Sequence, residues 1–127
     1  MKQAGAVLLV GVGGFIGSMA RYLVALTFVP LVPGFPFATL TVNLLGSFLI
    51  GFLSELAVST TLVSPEARLL LVTGFCGGFT TFSAYMFENA ALLKDGQLFY
   101  AGIYLVGTII GGFVALYTGT LFAKLWT

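Results

Sequence analysis

The sequence has no histidine, one cysteine (Cys76) and few charged residues, which make up 7% of its 127 positions. A single thiol rules out an internal disulfide and a multi-cysteine metal site. The lack of histidine argues against a transition-metal centre and histidine-based catalysis, and we expect no enzymatic activity. A net charge of +1 gives no basic surface for nucleic acid. Soluble domains carry charge at about a quarter of their positions, so a soluble domain is not expected.

Hydrophobic residues dominate what is present, at 59% of the chain. A helix needs about 20 mostly apolar residues to cross roughly 30 Å of hydrocarbon, so the chain has room for four spans and little else. The apolar segment behind Lys2 is too long for the apolar part of a signal peptide, and we expect no cleavable leader. The composition predicts an all-α, multi-pass protein of the cell (plasma or inner) membrane, surrounded by the lipid bilayer.

Charged and turn-forming residues divide the chain into four predicted spans within one domain, residues 1–127. Pro30, Pro33 and Pro36 cannot continue a helix and end the first span. Ser64 is the predicted N-cap of the third span and Pro65 its first helical residue. The short connections make neighbouring helices antiparallel. The predicted spans cover about residues 4–28, 37–60, 66–93 and 98–125.

The basic residues give little guidance on orientation in the membrane. The predicted spans place Lys2, Arg68 and Lys124 on one side, and Lys94 and Arg21 on the other. Lysine and arginine normally favour cytoplasmic loops. One interpretation is that so few charges decide nothing. The other is a chain that inserts both ways and pairs as an antiparallel homodimer, with its functional site near the midplane.

The stretch "TGFCGGFTTFS", residues 73–83, places three glycines and four hydroxyl side chains inside the third span. These are weak helix formers, and non-helical backbone at membrane depth is tolerated only in protein or beside a cavity. We expect the third helix to break near its middle, from Gly77 to Thr80, which would free carbonyls for a small hard cation. Phe82 and Tyr85 follow on one face, with positive ring edges that suit a dehydrated anion.

Polar residues also occur in the first two spans. Thr39, Asn43 and Ser47 form one stripe of the second helix. They can bond to neighbouring helices, or the asparagine amide can replace water around an anion. Arg21 either extends its side chain to the interface or forms a positive charge at a water-filled mouth.

The remaining predicted features are on the first, third and fourth spans. Glu88 is predicted at the aqueous mouth of the bundle, and Tyr104 and Thr108 share one stripe of the fourth helix. The glycines of "GVGGFIG", residues 11–17, have spacings that favour close helix packing in lipid.

Together, "TVNLLG" at residues 41–46 and "GFCGGFTTFS" at residues 74–83 resemble the signatures of the dual-topology fluoride channel family (Fluc, also called CrcB). The resemblance covers the whole chain in length and four-span layout. It implies an antiparallel homodimer with two pores that exports fluoride passively from the microbial cytoplasm. It also implies a sodium ion at the dimer centre, held by backbone carbonyls that correspond to Gly77 and Thr80.

The residues and the resemblance together predict one set of functional side chains. The predicted anion pore comprises Asn43, Phe82, Tyr85, Tyr104, Thr108, Thr39 and Ser83, with Arg21 in the vestibule and Glu88 at the pore mouth.

Three positions depart from the family pattern. The sequence reads "TTFSAY" where the family has Thr-Thr-Phe-Ser-Thr-Phe, so Ala84 replaces a threonine and Tyr85 the second phenylalanine. The tyrosine keeps a ring edge and adds a hydroxyl, which would either bind the ion more tightly or hinder it. On the fourth span, Gly112 and Leu116 stand where hydroxyls often continue the stripe after Thr108.

Two other functions compete with a channel. A proton-coupled exporter of the small multidrug-resistance type has the same size and dual topology, but it needs a carboxylate deep in the membrane. Glu55 and Glu88 lie towards span ends. A non-conducting subunit of a larger membrane complex would use the glycine faces, but it would leave the polar and aromatic residues of the second and third spans without a role.

Overall fold

The computed structural model describes residues 2–28 and 34–127, and within these ranges the regular structure is helical. Four helical stretches are long and apolar enough to cross a membrane, as predicted. The predicted stops at Pro30 and Pro33 lie outside the described residues. The elements are α1 (Gln3–Phe28), α2 (Phe37–Ser59), α3 (Pro65–Arg68), a π-helix (Leu69–Cys76), α4 (Gly77–Phe79), α5 (Phe82–Lys94), α6 (Leu98–Ala123) and a final 3₁₀ turn (Lys124–Trp126).

The third span, Pro65–Lys94, begins and ends as its sequence dictates. Ser64 accepts the Ala67 N–H on its hydroxyl at 3.1 Å and precedes Pro65, which confirms the predicted N-cap. At the other end Gly96 has a φ of +73°. Its N–H donates to the Leu93 carbonyl, and the next N–H reaches back to the last turn. This glycine termination stops α5 before α6 begins.

The break in the third span lies at Thr80 and Thr81, later than predicted. Their ψ angles are 157° and 125°, both extended, whereas Gly77 to Phe79 are helical. Both threonines stabilise the break, because Thr80 donates its hydroxyl to the Cys76 carbonyl and Thr81 accepts the Ala84 N–H as the N-cap of α5. The prediction that Gly77 begins the break is therefore wrong.

The glycines instead allow two backbones to touch. α1 packs along the π-helix and α4. A Cβ at Gly13 would overlap the Leu70 carbonyl oxygen, and a Cβ at Gly78 would overlap the backbone of Gly14. This confirms the predicted close packing by the glycines of the first span.

The other half of the bundle is built on α2 and α6, which pack along each other. α5 rests on α6 through a buried cluster that includes Tyr85, Leu92 and Tyr104. Few side chains are buried overall, and large apolar residues such as Phe15 and Phe99 are exposed. Exposed apolar surface of this kind suits lipid or a second protein chain.

Candidate functional site

A groove of about 540 Å³ opens at the break in the third span. It joins three helices, because α2 supplies Asn43, α5 supplies Phe82 and Tyr85, and α6 supplies Thr108. These four are predicted pore residues. The sequence did not indicate the apolar part of the wall, which comprises Ile50, Met86, Leu105 and Ile109.

Asn43 holds the open backbone of the break. Its Oδ1 accepts the Thr81 N–H at 2.8 Å, and its Nδ2 donates to the Thr81 carbonyl at 3.1 Å. These bonds confirm the interpretation that Asn43 contacts a neighbouring helix. The amide bonds to a neighbouring helix, and since an amide nitrogen has two hydrogens, one N–H is not needed for this pairing.

Most hydroxyls along the groove already have partners. Ser47 donates to the Asn43 carbonyl at 2.7 Å, and Thr80 donates to the Cys76 carbonyl at 2.8 Å. The Oγ1 atom of Thr108 is buried and lies beside the Tyr85 hydroxyl, but it makes no well-aligned hydrogen bond within residues 2–28 and 34–127. A buried hydroxyl without a well-aligned partner is costly, so the Thr108 donor is available to a ligand in the groove.

The two aromatic rings of the groove differ in exposure. Phe82 is 73% exposed and Tyr85 only 4% exposed, with their ring centroids 6.2 Å apart. Tyr85 packs edge to face on Tyr104 at 4.9 Å. Its hydroxyl donates to the Leu105 carbonyl at 2.7 Å. The Phe82 ring therefore forms the open side of the groove and the Tyr85 ring its fixed side.

Glu88 gathers two of the predicted pore residues outside the groove. Thr39 donates its hydroxyl to Oε2 at 2.9 Å, and Tyr104 donates to Oε1 at 3.0 Å. Tyr104 is fully buried. This carboxylate thus ties α2, α5 and α6 together and uses the hydroxyls of both residues. Glu88 also lines a second cavity of about 310 Å³ with Asp95.

Arg21 lies on the other side of the break. Its Nε donates to the Gly78 carbonyl at 3.1 Å, a bond that the sequence did not predict. It also lines a cavity of about 210 Å³ that includes Thr39, Thr81 and Ala84. Thr81 belongs to both this cavity and the groove, so the two spaces adjoin at the break.

The remaining predicted residues lie at the surface of the chain. Ser83 is exposed and outside the groove lining. Gly77 is exposed, and a Cβ there would meet nothing within 4 Å. In an unbroken helix the Thr81 N–H would donate to the Gly77 carbonyl, but it donates to Asn43 instead. The Gly77 carbonyl therefore loses its usual helical donor.

Comparison with known proteins decides the family. A family model described as "CrcB-like protein, Camphor Resistance (CrcB)" matches residues 8–120. The chain belongs to the CrcB family. The four long apolar helices of the described residues, together with its ion-channel relatives, make it a multi-pass membrane protein.

Three proteins similar to this chain bear the name "Fluoride-specific ion channel FluC". The protein from Chlorobium luteolum is 74% identical over 122 residues, 96% of this chain and 95% of its own length. The protein from Chlorobium phaeobacteroides is 68% identical over 127 residues, 100% of this chain and 98% of its own length. The protein from Rhizobium meliloti is 46% identical over 114 residues, 89% and 91% of the two chains.

Proposed function

We propose that this protein is a fluoride-selective channel through which fluoride leaves the cell passively. The observation that carries the proposal is a groove with two donors that have no well-aligned partner among the described residues, the second N–H of Asn43 and the hydroxyl of Thr108. The names of two Chlorobium relatives, fluoride-specific ion channels that are 74% and 68% identical to this chain, support the same ion.

The chemistry of the groove suits fluoride. The ion is small, strongly hydrated and only accepts hydrogen bonds, so a pore must replace its water with donors and release it again. Asn43 and Thr108 supply the donors, and the rings of Phe82 and Tyr85 supply positive edges. With so few donors at one point, the ion is desolvated without being trapped.

The charged side chains act on either side of this groove. Arg21 raises the local concentration of anions at the vestibule, in a cavity that Thr39 and Thr81 also line. Glu88 lies at the pore mouth, held there by hydrogen bonds from Thr39 and from the buried Tyr104. Its negative charge repels anions that remain at the mouth.

The channel works as an antiparallel homodimer with two pores. Support comes from the exposed faces of the single chain, because Phe82 and Gly77, both beside the break, face outwards. The nearly balanced basic residues of the sequence fit a chain that inserts both ways. A second copy would close the open side of each groove.

A sodium ion would fit at the two-fold axis of this dimer. Gly77 and Thr80 of each subunit would hold it through backbone carbonyls, which are good ligands for such cations. The fit is supported at Gly77, whose usual helical donor is bound to Asn43 instead. The ion would neutralise the carbonyl dipoles where the two breaks meet.

The rival exporter finds no support in the groove. Its lining has no carboxylate among the described residues, and Glu88 accepts hydrogen bonds from Thr39 and Tyr104. A transporter of that type needs a carboxylate that alternates freely between proton and substrate.

The proposal is tested by purifying the protein, reconstituting it in liposomes loaded with potassium fluoride and following efflux with a fluoride electrode. Chloride-loaded liposomes are the control for selectivity. We expect rapid fluoride efflux and no chloride efflux above that of protein-free liposomes. Fluoride efflux equal to that of protein-free liposomes would contradict the proposal.

A further inference from the structure

The half-helix α5 starts a new helix after the break and carries both groove aromatics. The direction of α5 is not set by α4, because Thr80 and Thr81 between the two helices are extended. Side chains must therefore fix it. Asn43 bonds to Thr81 just before the first turn, and Tyr104 bonds to Glu88 further along. Tyr85 lies between these two points.

The hydroxyl of Tyr85 has no proton left for an anion. A phenol has one O–H, and this one donates to the Leu105 carbonyl at 2.7 Å, with the Tyr104 carbonyl next nearest at 3.5 Å. Its remaining capacity is lone pairs, which offer nothing to an ion that only accepts hydrogen bonds. The hydroxyl that distinguishes Tyr85 from a phenylalanine therefore bonds to α6.

We propose that Tyr85 is a positioning residue whose hydroxyl braces α5 against α6 and so fixes one wall of the groove. This inference rests on the proposed function, because it explains how the ring edge offered to fluoride is held. The brace and the Tyr104–Glu88 bond cross the same helix pair in opposite directions, one donated from each helix. Together they prevent α5 from turning or sliding on α6.

The Tyr85 hydroxyl donates to the carbonyl of Leu105, a residue that itself lines the groove. Leu105 lines the groove less than one turn before Thr108 on α6, and Tyr85 lines it from α5. A bond between Tyr85 and Leu105 thus fixes the ring edge relative to the Thr108 hydroxyl. The spacing between these two groups decides how closely an anion can be enclosed.

The test is hydrogen–deuterium exchange of the full-length protein in lipid nanodiscs, read by mass spectrometry. Tyr85→Phe removes the brace and keeps the ring. We expect amide exchange in residues 82–94 to become roughly threefold to tenfold faster, as local opening of α5 loses one hydrogen bond. The control is Tyr117→Phe, which removes a hydroxyl from a ring that is 62% exposed on α6 and leaves exchange in α5 unchanged.

Two further variants separate the donor from the size of the side chain. Tyr85→4-aminophenylalanine keeps an N–H donor at the ring tip and restores slow exchange, whereas Tyr85→4-methylphenylalanine matches the size without a donor and exchanges like Tyr85→Phe. Fluoride efflux, measured in parallel, falls severalfold wherever exchange rises and recovers with the amino variant.

Unchanged exchange in Tyr85→Phe would overturn the brace, whatever happens to efflux. Loss of efflux without faster exchange would instead mean that the hydroxyl acts on the ion. If the wild-type protein carries no fluoride, the proposed function fails, and exchange still tests the brace on its own.

Discussion

The half of the third span before the break packs backbone to backbone on α1, whereas the half after it is tied to α2 and α6 by side-chain hydrogen bonds. In this first contact, Gly13 of α1 and Gly78 of the third span leave no room for a Cβ. In the second half, Asn43, Tyr85 and Glu88 make the contacts. The first arrangement leaves no space between the two backbones, whereas the second puts polar groups beside a cavity. The groove accordingly lies on the second side.

The largest expected effect comes from adding one methyl group to the glycine contact. Gly13→Ala pushes a Cβ into the backbone of the π-helix, which cannot give way as a side chain can. Overpacking costs about 1–3 kcal/mol in ordinary cores, and we expect a large loss of folded protein. Thermal unfolding of the purified protein, followed by circular dichroism, measures it.

The matched control is Gly107→Ala, because a Cβ at Gly107 meets nothing within 4 Å. It should unfold at the wild-type temperature. Equal thermal stability of the two variants would show that the glycines of α1 are not needed for close contact.

The second-largest effect is expected in the half of the third span that side-chain hydrogen bonds hold. There Asn43→Ala removes both bonds to Thr81. Each backbone group left without a partner costs about 1–3 kcal/mol, and the pore loses a donor. We expect the protein to remain folded through its α1 contact, with fluoride efflux from liposomes abolished. Ser59→Ala removes a hydroxyl bond to Glu55 near the end of the same helix and serves as the control. Normal efflux in Asn43→Ala would exclude the amide from ion transport.

The sequence predicted features with local causes and failed on those with distant ones. The N-cap at Ser64 could be predicted because its partner, the Ala67 N–H, lies three residues away. The break was predicted too early because the weak helix formers include Gly77 and Gly78, although the helical conformation of Gly78 serves contact with Gly14 on another helix. Such a contact leaves no trace in the segment itself.

The candidate site shows the same difference between features with local causes and features with distant causes. Asn43, Phe82, Tyr85 and Thr108 were predicted from stripes and a resemblance, and they do share one groove. The pairing of Glu88 with hydroxyls from two other helices joins positions 16 and 49 residues apart in the chain. No periodicity within one helix encodes such a pairing.

The smallest effect is expected at Thr108, where a substitution should change transport and stability in opposite directions. Thr108→Val keeps the shape and removes a buried hydroxyl that has no well-aligned partner in the described part of the chain. Replacing an unsatisfied polar atom by an apolar one is neutral or stabilising. We expect a melting temperature at or slightly above that of the wild type, with fluoride efflux slowed severalfold.

Thr118→Val is the control, because that hydroxyl bonds within its own helix on an exposed face. It should leave efflux unchanged. A Thr108→Val variant that is clearly less stable than the wild type would mean that the hydroxyl has a structural partner.

The most direct test of the groove as the fluoride path compares two phenylalanines of α5. Phe82 and Phe87 are 73% and 77% exposed, and only Phe82 lines the groove. Both are replaced by isoleucine, and fluoride efflux is measured at equal protein density in liposomes. Efflux abolished in Phe82→Ile and retained in Phe87→Ile is the predicted result. Near-normal efflux in Phe82→Ile, or equal loss in both, would contradict the assignment of the pore to this groove.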